Sequence, residues 1–310
     1  MRMAPLALAC LLAVAPTTAA FAAKPSNLYV FGDSLVDAGN LDAAVGNDSF
    51  NPASAGYFPG RFTNGPDYTD LLYKSFFGTY SAPSLLGGTN YAFADARAVD
   101  LGGPVPAVGA QVASYLADHG GVADGSALFV INIGGNDVFG LEDNDIGGYT
   151  PDAYAQAVVT SILGAVGALD AAGARNFLVA GIPVIDPVGA ALDASLQDGL
   201  DAFSHGLPGH IARLDYQSLL PAIVGDPGAF GLPPFTNFTD ACIDNEPVIG
   251  GRIDCTGYVY FDDTHPTAAI QSAVFGAVRA AVPEPAAWAL LVVGFGVAGR
   301  GLRARRRAQA

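Results

Sequence analysis

The sequence predicts an α/β protein in which helices cover both faces of a parallel sheet. Apolar segments of strand type alternate along the chain with segments whose apolar residues recur at helical spacing. The strand-type segments are apolar at almost every position, which is typical of parallel strands buried on both faces. No internal repeat and no linker-like stretch interrupts residues 24–282, so we expect one domain there.

The predicted strands are short apolar runs bounded by glycine, proline or polar turn residues. They lie at 28–31, 127–133, 176–182 and 258–261, with shorter candidates at 87–94 and 211–215. The predicted helices between them show apolar residues three or four positions apart. They lie at 67–77, 108–119, 150–173 and 190–220, the last broken near 206–209, and a final helix follows Pro266.

Composition allows a large core and argues against nucleic acid as a partner. Hydrophobic residues make up 51% of the 310 residues, charged residues make up 14%, and the net charge is −15. Five of the 14 basic residues lie in the last eleven positions, so the body of the chain is more acidic still. Little positive charge remains there to neutralise phosphates.

The N-terminus has the pattern of a secretory signal peptide. An apolar run follows Met1-Arg2, and Ala20-Phe21-Ala22 is a small-x-small cleavage site. We therefore exclude residues 1–22 from the fold. The mature chain then holds two cysteines, Cys242 and Cys255, for which an exported protein favours one disulfide over two buried free thiols.

Polar side chains follow three of the predicted strands and can meet at one edge of a parallel sheet. They are Ser34, Asn136, and Asp262 with His265. A serine hydroxyl becomes a nucleophile when histidine takes its proton, and a carboxylate orients that histidine. Asp263 is a rival to Asp262, but the three-residue spacing to the histidine favours Asp262. Taken alone, Ser34 could be a helix N-cap, which is the commoner role of a serine in a Gly-Asp-Ser turn.

Four blocks of the sequence resemble those of the GDSL (SGNH) hydrolases, in family order, between about residues 27 and 282. The blocks are Phe31-Gly32-Asp33-Ser34-Leu35, Gly88-Thr89-Asn90-Tyr91-Ala92, Gly134-Gly135-Asn136-Asp137 and Asp262-x-x-His265-Pro266. The resemblance, which is to the secreted bacterial lipase/esterase branch, implies a flavodoxin-like three-layer α/β/α sandwich. It also implies ester hydrolysis through an acyl-serine, on a small-molecule or lipid ester.

The resemblance assigns a role to each matching residue. Ser34 would be the nucleophile, His265 the base and Asp262 its orienting partner. Ser34 and Asn136 would donate hydrogen bonds to the oxyanion. The family glycine that adds a third donor falls at Asp95, whose backbone N–H remains, and Gly88 is the other glycine of this block. No zinc or calcium motif is present, so we expect neither a metal nor a cofactor.

The C-terminal tail, residues 283–310, resembles the PEP-CTERM sorting signal of Gram-negative bacteria. It consists of Pro283-Glu284-Pro285, an uncharged run at 286–299 and an arginine cluster. The resemblance implies recognition by an exosortase at the inner membrane and a secreted or envelope-associated product. The alternative function is an envelope or matrix-associated binding protein on the same fold with weak or no turnover, and Asp95 is the feature that favours it.

Overall fold

A parallel sheet of four strands runs through the centre of the protein, in the order β1-β2-β3-β4. The strands are β1 (Leu28–Gly32), β2 (Leu128–Asn132), β3 (Asn176–Ala180) and β4 (His210–Leu214). The computed structural model describes residues 24–281. The predicted signal peptide and sorting tail lie outside the described residues.

Nine α-helices accompany these strands in the described range. They are α1 (Asn40–Val45), α2 (Tyr68–Phe77), α3 (Val108–Asp118), α4 (Gly135–Glu142), α5 (Pro151–Ala171), α6 (Pro187–Ser204), α7 (Tyr216–Gly225), α8 (Cys242–Asn245) and α9 (Ala268–Ala281). The predicted broken helix at 190–220 is α6 and α7 with β4 between them. The residues after β2, predicted as a turn, begin α4.

The predicted strand at 87–94 is reduced to a single backbone bridge beside β1. Asn90 bridges Val30, and the Phe93 N–H donates to the carbonyl of Gly32 at 3.1 Å. This segment therefore occupies the position of an outer strand next to β1, although it is too irregular to be one. With this segment counted as an outer strand, the strand order is that of the flavodoxin-like sheet. The chain adds this segment on one side of β1 and then crosses over to add β2, β3 and β4 on the other side.

The predicted strand at 258–261 is wrong, because this segment folds back on itself instead of joining the sheet. The Phe261 N–H donates to the carbonyl of His265 at 2.8 Å, and the Thr267 N–H donates to that of Val259 at 3.0 Å. Other backbone groups of this segment pair with Asn237 and Cys242, so they are satisfied without a place in the sheet. The buried apolar positions that resembled a strand pack instead beneath a tight loop.

Two apolar cores lie on opposite faces of the sheet, which makes the protein a three-layer sandwich. Helices α3, α4, α5 and α6 cover one face, and α2, α7 and α9 cover the other. Strands β1 and β2 are buried at every position, as their apolar sequences predict. By length and composition α5 could span a membrane, but here it packs between α3 and α6 through its buried apolar side.

Candidate active site

Ser34, His265 and Asp262 form a continuous chain of hydrogen bonds at the carboxyl edge of the sheet. The Oγ atom of Ser34 lies 2.7 Å from Nε2 of His265. The other ring nitrogen, Nδ1, lies 2.8 Å from Oδ2 and 2.9 Å from Oδ1 of Asp262. The side chains of Asp262 and His265 are only 15% and 13% exposed. The three residues that the sequence singled out for nucleophile, base and orienting carboxylate are therefore brought together.

Ser34 lies in a turn that begins directly where β1 ends. Gly32 is required there, because a β-carbon at this position would overlap the carbonyl oxygen of Asn132 on the neighbouring strand. Asp37 closes the turn by accepting hydrogen bonds from the N–H groups of Gly39 and Asn40. These contacts fix the backbone on both sides of Ser34.

Asp33 is a buried carboxyl group directly before Ser34, and it was not among the residues predicted for the site. Its Oδ1 accepts a hydrogen bond from the Leu35 N–H at 3.0 Å, whereas its Oδ2 has no partner. Burial raises the pKa of Asp33 to about 7. The hydrogen bond from the Leu35 N–H and the positive charge of a protonated His265 act in the opposite direction and lower this pKa. A folded-state pKa above the unfolded value of 3.8 means that Asp33 costs stability as the pH rises from about 4 to 7.

A local turn orients Asp262 toward the histidine. Its Oδ1 accepts the backbone N–H groups of Thr264 at 3.0 Å and His265 at 2.7 Å. Burial alone would raise the pKa of Asp262, but these hydrogen bonds and the interaction with the His265 side chain lower it below its usual value. Asp262 is therefore ionised at neutral pH. The rival carboxylate of Asp263 is exposed and makes no hydrogen bond to His265.

Two aromatic residues of the 50–63 loop contact Asp262 and His265. The hydroxyl of Tyr57 donates to Oδ2 of Asp262 at 3.0 Å, across a separation of 205 residues. The ring of Phe62 packs against the imidazole of His265, with 5.3 Å between centroids. Both rings therefore reach the Asp262–His265 pair from a loop that is distant in sequence.

Replacement of Tyr57 by phenylalanine tests this contact. We expect kcat/KM for a short-chain ester to fall about threefold to tenfold, because a hydrogen bond to a charged group is worth about 1.5–3 kcal/mol and part of it is replaced by water. Without the Tyr57 hydroxyl, the Asp262 carboxylate will bind the protonated ring of His265 more strongly. The acid limb of the pH profile should therefore move to higher pH.

Tyr258→Phe is the matched control, since the Tyr258 hydroxyl donates to Glu246 at 3.0 Å and does not touch the triad. A Tyr57→Phe enzyme whose pH profile overlays that of the wild type would show that the hydroxyl does not act through Asp262.

The three predicted oxyanion donors, Ser34, Asp95 and Asn136, each keep a hydrogen that the described residues do not use. Among the described residues, neither the backbone N–H of Ser34 nor that of Asp95 has an acceptor. The Nδ2 of Asn136 donates one hydrogen to the carbonyl of Ala96 at 2.9 Å, which leaves its second hydrogen for a ligand. The Ala94 N–H, donating to Asp37 at 2.9 Å, ties the Asp95 loop to the Ser34 turn.

Asp95 occupies a backbone conformation that favours glycine. Its φ is +66°, in the left-handed region, where aspartate is one of the better tolerated side chains. The side chain is exposed and does not line the cavity at Ser34. Solvent therefore screens its charge.

Gly88 does not fit the role of an oxyanion donor. Its N–H already donates to the carbonyl of Pro83 at 3.0 Å. Gly88 also lies two residues before Asn90, which pairs with Val30 in the middle of β1. Gly88 is therefore distant from the end of β1, where Ser34 follows. Asp95 directly follows Ala94, whose N–H links this block to the Ser34 turn.

The predicted disulfide between Cys242 and Cys255 is present and supports the loop of Asp262. The N–H of Cys242 donates to the carbonyl of Tyr260 at 3.1 Å, and the next N–H donates to that of Phe261 at 2.9 Å. The bridge therefore fastens the two residues directly before Asp262.

A cavity of about 540 Å³ opens at Ser34, Asn136 and His265. Its walls are mostly apolar side chains from α7, α9 and the loop after β3. Among residues 24–281, no group of three or more histidine, cysteine or acidic side chains could hold a metal ion. The arrangement can therefore bind an apolar molecule and hold its carbonyl group next to a serine hydroxyl that is hydrogen-bonded to a base.

Comparison with known proteins identifies the family. The family model of the GDSL-like lipase/acylhydrolases matches residues 28–278. The chain is 28% identical to a GDSL esterase/lipase of Arabidopsis thaliana, over 79% of this chain and 84% of the relative. It is 39% identical to Lipase 1 of Photorhabdus luminescens, over 36% of this chain and 16% of that longer protein. A solved alpha/beta hydrolase from the metagenome of Lake Arreo is 15% identical, with a TM-score of 0.44 and coverage of 84% of this chain and 96% of that one.

The family match spans well over half of the chain. The matched residues include all four strands of the parallel sheet described above. The chain therefore belongs to the GDSL-like lipase/acylhydrolase family. It is a carboxylic ester hydrolase of the GDSL type, and a lipid or other ester is its substrate.

Proposed function

We propose that the protein is an exported serine esterase that works through an acyl-enzyme on Ser34. The observation that carries this proposal is the chain of hydrogen bonds from Ser34 through His265 to Asp262, at the mouth of an apolar cavity. Serine, histidine and a carboxylate in this order are the parts that nucleophilic acyl transfer needs.

Acylation begins when Nε2 of His265 accepts the proton of Ser34 as Oγ attacks the ester carbonyl carbon. The tetrahedral oxyanion then accepts hydrogen bonds from the N–H groups of Ser34 and Asp95 and from the side chain of Asn136. Asp262 stabilises the imidazolium and keeps Nδ1 protonated. The imidazolium returns its proton to the leaving alcohol oxygen, and the C–O bond of the ester breaks to leave an acyl-serine.

Deacylation repeats these steps with water. His265 accepts a proton from water as its oxygen attacks the acyl carbon, and the same donors stabilise the second oxyanion. The proton then passes to Ser34 as the acyl–oxygen bond breaks and the carboxylic acid leaves. No group other than the residues named is needed to balance either half of the reaction.

Export is inferred from the two ends of the chain and from its cysteines. The pattern of residues 1–22 favours passage through the inner membrane, and residues 283–310 resemble a tail sorted by an exosortase in a Gram-negative envelope. The Cys242–Cys255 bridge is in keeping with an oxidising compartment. We propose that the mature enzyme is secreted or envelope-associated.

The second candidate is a binding protein of the envelope or matrix that turns over weakly or not at all. The feature that favours it is Asp95, a side chain with a negative charge at a position where related sequences carry glycine. This function would keep the cavity and the fold but not a working oxyanion site.

A fluorophosphonate probe separates the two candidates. An active serine esterase should be labelled covalently at neutral pH, with the adduct on the peptide that contains Ser34, and Ser34→Ala should take no label. Absence of label from the wild-type protein, with retained binding of a polysaccharide, would favour the second candidate. Asp95→Gly then serves as the companion variant, since recovery of labelling would assign the loss to that side chain.

A further inference from the structure

The cavity at Ser34 continues as a cleft between two helices that lead away from the catalytic residues. Helices α7 and α9 pack against each other on the same face of the sheet. Apolar side chains from both helices and from the loop after β3 form the walls of this cleft. They are Val184, Ile185, Leu220, Pro221, Val224, Ile270 and Val274.

The start of α7 lies close to the nucleophile. The hydroxyl of Tyr216 donates to Oδ1 of Asn132 at 2.8 Å, and Asn132 pairs with Gly32 in the sheet, two residues before Ser34. Val224 lies eight residues further along the helix, which is about 12 Å at 1.5 Å per residue. Val274 likewise lies six residues, about 9 Å, beyond the start of α9. The two valines therefore mark the end of the cleft that is far from Ser34.

Tyr216 and Gln271 are the two polar residues that α7 and α9 contribute to the wall of the cleft. The Tyr216 hydroxyl is hydrogen-bonded to Asn132, and Oε1 of Gln271 accepts the Tyr68 N–H at 3.1 Å. A sugar ring or a charged acyl group would lose its hydration there without adequate replacement. An aliphatic chain loses nothing polar and gains from the removal of apolar surface from water.

We propose that the cleft between α7 and α9 binds a linear aliphatic acyl chain of the ester, and that Val224 limits the length of chain accepted. The proposal rests on the proposed function at Ser34, because it takes the carbonyl of that chain to lie at the nucleophile. It names the substrate class as esters of medium-chain fatty acids rather than acetylated sugars.

Kinetics with nitrophenyl esters from acetate to dodecanoate, below their aggregation concentrations, test the length limit. For the wild type we expect kcat/KM to rise about fourfold with each added methylene until the cleft is full. Val224→Phe should lower kcat/KM for decanoate at least tenfold and leave acetate within threefold. Val224→Ala should move the optimum to longer chains. Ala222→Phe, on the exposed side of the same helix, should change neither.

A binding measurement keeps the proposal testable if turnover is absent. Sodium decanoate should bind to the full-length Ser34→Ala protein in a calorimetric titration, and Val224→Phe in that background should weaken binding at least fivefold. Labelling of Ser34 by the probe, with no decanoate binding and a preference for acetate, would overturn the acyl cleft and leave the esterase standing. Decanoate binding without labelling or hydrolysis would overturn the esterase and leave the cleft.

Discussion

Ser34→Ala will remove nearly all ester hydrolysis, with kcat expected to fall about 10⁵- to 10⁶-fold. Oγ of Ser34 is the atom 2.7 Å from the base, and alanine leaves no group there to attack the carbonyl. The measurement is hydrolysis of nitrophenyl butanoate at saturating ester, by the purified full-length variant. Folding is checked by thermal unfolding, which should differ little because the hydroxyl is the only group lost.

Ser114→Ala is the control, since its exposed hydroxyl caps a carbonyl of its own helix far from the site. It should retain the wild-type rate. Full activity in the Ser34→Ala enzyme would mean that another group is the nucleophile, and the mechanism would have to be abandoned.

Asp262→Asn is expected to lower kcat about 10⁴-fold while leaving the fold intact. The Oδ1 of an asparagine can still accept the backbone N–H groups of Thr264 and His265, so the loop is preserved. The amide cannot stabilise an imidazolium, and its NH₂ group would favour the wrong histidine tautomer. Because the pKa of Asp262 is held below its usual value, the wild-type carboxylate should support activity until the pH falls well below neutral.

Asp263→Asn is the matched control, with the same change of charge one residue along the chain. It should remain within about twofold of the wild type, because Asp263 makes no hydrogen bond to His265. Equal losses in the two variants would point to the charge of the loop rather than to the orientation of the base.

The regular elements could be predicted from the sequence because their apolar patterns are local. Strands β1, β2 and β3 are apolar at consecutive positions, and α3 and α5 show helical spacing. The apolar run at 258–261 has the same local pattern as a strand. It differs from a strand in its backbone hydrogen bonds, which go to residues including 237, 242, 243, 265 and 267 and not to a neighbouring strand, and no short window of sequence displays them.

The chemical groups of the site were predictable, but their supports were not. Ser34 and Asn136 follow strand ends, and Asp262 and His265 are three residues apart, so spacing alone brought them together. Tyr57 reaches Asp262 from an irregular loop 205 residues away, which no periodicity encodes. The free N–H and exposed side chain of Asp95 likewise depend on its positive φ, which the sequence suggests only through the missing glycine.

The most direct test of the central claim is the mass of the protein during turnover. The enzyme is mixed with excess nitrophenyl butanoate, quenched in acid within the first turnovers and digested for mass spectrometry. The proposed mechanism predicts a butanoyl group on the peptide containing Ser34, and accumulation of this adduct wherever deacylation is the slower step. Hydrolysis of the ester with the acyl group on a different residue would contradict an acyl-serine at Ser34.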